Sequence, residues 1–122
     1  MIAQAQVYMQ IADYARALEL LNAALAGAAT QIDRRTALFY RGHAEFNLGQ
    51  YAQAAQDFEA TLPGRPTLKS RLGPLVWRSA AQVRARQDPR GTLAREIGTE
   101  SLDEWPGAIV RFLLGKLPAG EL

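Results

Sequence analysis

Two stretches of the chain, DYARALELLNAAL at residues 13–25 and QYAQAAQDFEATL at residues 50–62, carry the same pattern 37 residues apart. Tyr14 matches Tyr51, Ala17 matches Ala54, and Leu21 matches Phe58. A period of this size marks a stacked array, because one short unit cannot bury its own apolar face and needs a neighbour to cover it. Within each copy these residues fall at intervals of three and four, which is one side of an α-helix. Alanine, leucine, glutamine and arginine dominate, all good helix formers, and no stretch alternates with period two for long. The expected fold class is all-α.

Residues 37–58, ALFYRGHAEFNLGQYAQAAQDF, give the pattern its detail. Gly42 and Ala54 lack bulk, so two antiparallel helices can approach closely where they cross. Gly49 suits the left-handed residue that ends a helix. Tyr51 and Phe58 fill the space beyond the pair, and Pro66 cannot continue the second helix. This arrangement resembles the tetratricopeptide (TPR) helical hairpin, whose usual period is about 34 residues. Gly27 to Thr30 can hold the excess as a longer loop, and Ala12 stands where the first unit would carry glycine. The resemblance implies an α-solenoid of TPR hairpins, coiled as a right-handed superhelix, that binds other proteins in its concave groove. Residues 1–66 then form two repeats, and residues 67–122 a degenerate repeat and C-terminal cap of the same domain. Met1 falls inside the first helix of its unit, so the sequence is expected to be a fragment of a longer chain or a shortened reading frame.

In the third unit, taking Trp77 as the counterpart of Leu38 sets Ala81 in the place of Gly42 and ends the helix near Gln87. Asp88 then caps a new helix with Pro89 in its first turn, and Leu93 and Ile97 supply its buried side. A final helix is expected from Pro106, with Ile109, Val110, Leu113 and Leu114 on its apolar stripe and Gly115 at its end. PLVWRSAAQVRARQDPRGTLAREI followed by SLDEWPGAIVRFLLGKL resembles the tail of proteobacterial TPR proteins of the outer-membrane lipoprotein, endopeptidase-adaptor type. Leu75, Trp77, Ala81, Trp105, Pro106, Val110, Phe112, Leu114 and Gly115 carry that likeness. It implies a bacterial protein of the periplasm or cell envelope, with the cytoplasm the default without it. Met1 to Gln10 has neither the basic start nor the apolar centre of a signal peptide. No apolar run is long enough to cross a membrane, so no membrane insertion by this segment is expected.

The net charge of +2 is unevenly spread. Residues 1–64 carry −2, residues 65–95 carry +7, and residues 96–122 carry −3. A basic block of this kind is either a solvated helix face or a surface for an acidic partner. Nucleic acid is not expected as a partner, since there is no recognition-helix motif and no ladder of stacking aromatics. In TPR folds the first helix of each hairpin lines the groove. That rule selects Phe39, Tyr40, His43 and Asn47 in the second unit and Arg78, Ser79, Gln82 and Arg86 in the third. The implied partner is an acidic or amphipathic segment of another protein. Phe39 and His43 stand where cochaperone TPR domains carry the lysine and asparagine that grip a chaperone tail, and Gln6 holds the latter place in the first unit, so that clamp is absent.

Catalysis is not expected. With no cysteine there is no disulfide, thiolate metal site or thiol nucleophile. No GxSxG, phosphate-cradling glycine loop or HExxH occurs. His43 is the sole histidine, and Glu45, two residues on, points to a different helix face. No cofactor or metal is expected. A second reading is self-assembly: a solenoid cut at both ends leaves apolar faces that a homodimer could cover, with Val110, Phe112, Leu113 and Leu117 as contributors.

Overall fold

A computed structural model of the chain describes residues 2–27 and 30–97, which form six helices and no strand. These are α1 (Ile2–Gln10), α2 (Tyr14–Ala26), α3 (Gln31–Asn47), α4 (Tyr51–Ala60), α5 (Leu68–Arg84) and α6 (Arg90–Ile97). Each packs against the next in sequence, and α1 also touches α3. The expected helix from Pro106, with Trp105, Ile109, Val110, Phe112, Leu113, Leu114, Gly115 and Leu117, lies outside the described residues.

The 37-residue period is physical. Ala12, Gly49 and Arg86 follow α1, α3 and α5, each 37 residues from the next, and all three have positive φ, at 62°, 82° and 64°. Each turn closes with the same two bonds. The amides of Ala12, Gly49 and Arg86 donate to the carbonyls of Met9, Phe46 and Val83, and those of Asp13, Gln50 and Gln87 donate to Tyr8, Glu45 and Gln82. This is the left-handed helix ending that satisfies otherwise orphaned carbonyls. The starts repeat too. Thr30 Oγ1 accepts from the Asp33 amide at 3.0 Å and Thr67 Oγ1 from the Ser70 amide at 3.1 Å, with Ser70 Oγ closing a capping box at Thr67.

Packing follows the same rhythm. Ala5, Leu21 and Ala37 form one cluster, joined by Tyr40, where α1, α2 and α3 meet. Ala54, Ala55, Phe58 and Ala81 form the next, joined by Phe39 and Phe46, across α3, α4 and α5. Leu62, Leu68, Leu75 and Leu93 form a third under α6. Gly42 meets Phe58 so closely that a Cβ there would lie 2.9 Å from the ring, so the expected close crossing of α3 and α4 is present. Ala17 and Ala54 are fully buried, while Tyr14 and Tyr51 are half-buried at the starts of α2 and α4.

The second helix of this unit, α4, ends at Ala60, where the Thr61 hydroxyl donates to the Phe58 carbonyl at 2.7 Å and the chain turns. Two local expectations need correction. First, α5 ends at Arg84 rather than near Gln87, because Arg86 takes the left-handed conformation. Second, Leu75 and not Trp77 is the counterpart of Leu38, since the turns and caps fix the offset at 37 residues and Leu75 is fully buried. Asp88 does serve the start of α6, where Oδ1 accepts from the Arg90 amide at 3.0 Å, and Leu93 is buried.

Candidate interaction surface

On α3, Phe39, Tyr40 and His43 come together as expected. The rings of Phe39 and Tyr40 stand edge to face with centroids 6.3 Å apart, and Phe39 and His43 are 4.7 Å apart. His43 is wedged between α3, α4 and α5, its ring 5.2 Å from Phe58 and 4.4 Å from Trp77. Burial among these rings pushes its pKa below the usual histidine value, so the imidazole is neutral at pH 7. Asn47 is exposed and its side chain donates to the His43 carbonyl at 2.8 Å.

The third unit does not present the expected residues. A two-residue error in register turns a helix by more than half a circle, from the open face to the packed one. Arg78 is accordingly 1% exposed, and Ser79 and Gln82 are buried. Arg86 is exposed but belongs to the turn after α5. The true counterparts of Phe39, Tyr40, His43 and Asn47 are Val76, Trp77, Ala80 and Arg84. Trp77 is 37% exposed, stacked on Phe58 with centroids 6.2 Å apart, and edge-on to Phe46 at 5.8 Å. It stands to Phe58 as Tyr40 stands to the cluster of Leu21, one unit earlier. Extending the 37-residue period by one step identifies it.

Arg78 instead repeats the bridging role of Arg41. The Arg41 guanidinium donates to both Asp57 oxygens, at 2.7 and 2.8 Å, and to Asn22 Oδ1 at 3.1 Å, linking α3 to α4 and α2. Arg78, 37 residues on, lies 3.8 Å from Glu59 and 3.7 Å from Glu96, linking α5 to α4 and α6. Asn22, Glu59 and Glu96 are themselves spaced at 37 residues. Burial pushes the Arg78 pKa down and the two glutamates oppose it, which is the balance of a structural bridge between elements.

Beside Arg41 sits Glu45, also buried, with Oε1 lacking a hydrogen-bond partner. Burial first, and then the nearby Asp57 carboxylate, push Glu45 up to about 8 against the opposing charge of Arg41. Among the described residues no three histidine, cysteine, aspartate or glutamate side chains gather as a metal site, and no helix is long and apolar enough to cross a membrane. In comparisons with known proteins, no family model, no curated protein and no solved structure matched this chain.

Proposed function

We propose that this chain is a non-catalytic, TPR-type adaptor that holds a peptide or helix of another protein against α3 and α5. The observation that carries the reading is the repetition of Tyr40 as Trp77, with Phe39 and His43 between them, as a partly open aromatic row on successive units. Large rigid aromatics on preformed helices anchor a partner with little ordering cost. The 37-residue repetition of turns and caps supports the family resemblance drawn from the sequence. Arg84 and Asn47 flank the row with polar contacts, while Arg78 and Gln82 serve the fold. The alternative, a homodimer, draws on Val7 of α1 and Ile11 in the turn just after it, both exposed.

The test is affinity capture from a lysate with the wild-type chain and with Tyr40→Ser/Trp77→Ser, whose helicity is checked by circular dichroism. Prey recovered by the wild type and lost from the folded variant is the expected result. Prey held equally by both would refute the aromatic row as the site. Recovery of the chain alone, with sedimentation showing a dimer, would favour self-assembly.

A further inference from the structure

A cavity of about 310 Å³ opens at the start of α3, lined by Ile32, Arg35, Thr36, Phe39, Tyr40 and Arg65. Its size is at the lower end of the ~300–1,000 Å³ range of small ligand sites. Both arginines are fixed there by neutral carbonyls. Arg35 Nη2 donates to the Pro63 carbonyl at 3.1 Å and lies under Gly64, where a Cβ would come within 2.8 Å of it. Arg65 Nε donates to the Thr61 carbonyl at 2.8 Å and Nη1 to the Ser70 carbonyl at 2.9 Å. The Ser70 carbonyl is free to accept because Pro74, four residues on in α5, has no amide hydrogen to give it.

Among the described residues neither arginine has a carboxylate partner, in contrast to Arg41, Arg78 and Arg90. Arg35 Nε is buried with no hydrogen bond. Burial and the charge of Arg35 both lower the pKa of Arg65, as expected for two like charges held together without an anion between them. Ile32, 72% exposed, stands at the rim, with Phe39 and Tyr40 as the apolar walls.

We infer that this cavity seats one acidic side chain of a partner peptide, an aspartate or glutamate, with an adjoining apolar residue of the peptide on Ile32, Phe39 and Tyr40. The inference rests on the groove-binding reading above, because Phe39 and Tyr40 belong to both. A carboxylate entering between the guanidiniums relieves their repulsion and forms charge-assisted bonds with donors already in position. Two cations walled by apolar groups make a socket for a single charge, whereas a nucleic-acid backbone calls for a run of them.

The test is fluorescence anisotropy with two labelled sets of short peptides: one mixing glutamate with leucine and phenylalanine, the other with glutamine in place of every glutamate. The acidic set should bind the wild-type chain at least about tenfold more tightly, the scale of one or two charged hydrogen bonds. Arg35→Gln/Arg65→Gln should erase that preference. Because both arginines also tie down the α4–α5 loop, Ile32→Glu serves as the second variant: it removes one apolar contact from both sets and sets a negative charge at the exposed rim. It should therefore weaken the acidic set by about tenfold more than the glutamine set, and equal weakening of the two would overturn the socket. Equal binding of both sets, lost in Tyr40→Ser/Trp77→Ser, would overturn the acidic socket and leave the groove reading standing. Tighter binding of a single-stranded oligonucleotide through the same arginines would overturn it in favour of nucleic acid. No binding by either peptide set would overturn both readings.

Discussion

Two titratable side chains in α3 are held in their neutral forms by what surrounds them. His43 is neutral because aromatic rings enclose it, and Glu45 because burial and Asp57 favour its protonated form. Gln82, 37 residues after Glu45, is buried at the same point of α5 and is neutral by construction. Glu45→Gln should therefore be compatible with the site. With Glu45 near 4.5 when unfolded and about 8 when folded, the folded chain binds the extra proton between those values. Stability conferred by protonated Glu45 is fully present at acid pH and lost as pH rises from about 5 to 8, by at most about 1.4 kcal/mol per unit. The glutamine variant should match the wild type near pH 4.5 in denaturant melts and gain on it steadily up to pH 8. A constant difference across that range would show that Glu45 is ionised in the folded chain.

At the scale of the helix and its ending, Ala12 and Arg86 adopt a conformation that glycine takes without cost. The left-handed region costs other residues roughly 1–2 kcal/mol, part of which glycine returns through its larger unfolded-state entropy. Ala12→Gly and Arg86→Gly should each stabilise by about 0.5–1 kcal/mol, read as a rise in melting temperature, while Gly49→Ala should do the reverse. Unchanged melting in all three would mean that these turns relax in solution. The same turns explain what was legible in the sequence. Gly49 marks its turn openly and Gly42 marks the crossing under Phe58, so the second unit could be read residue by residue. Arg86 hides an equivalent turn, because nothing in an arginine signals positive φ. Trp77 is ambiguous in sequence: its bulk suits a core position as well as an open face, and alignment with Leu38 carries Arg78 and Gln82 onto the groove. Thr67, 37 residues after Thr30, was the readable sign that fixes the register. The Arg35–Arg65 cavity was not legible, because it depends on a carbonyl released by Pro74 and on a loop folding back over α3.

For the whole molecule, stability is distributed among three neighbouring clusters rather than gathered in one core. Arg41 and Arg78 link consecutive elements across the cluster boundaries. In such an array each unit contributes its own stability and one interface with each neighbour. The identical turns at Ala12, Gly49 and Arg86 then act as standard couplings. Duplicating residues 13–49 would join Gly49 to Asp13, a junction of the kind already present at Ala12–Asp13 and Gly49–Gln50. The lengthened chain should keep its helicity and melt higher, with a steeper denaturant dependence for the added surface; aggregation or an unchanged melt would show that the couplings are not interchangeable. Built to a constant gauge, the fold sets the pitch of its parts and leaves their number free, so the aromatic row along α3 and α5 can be extended without redesign of any joint.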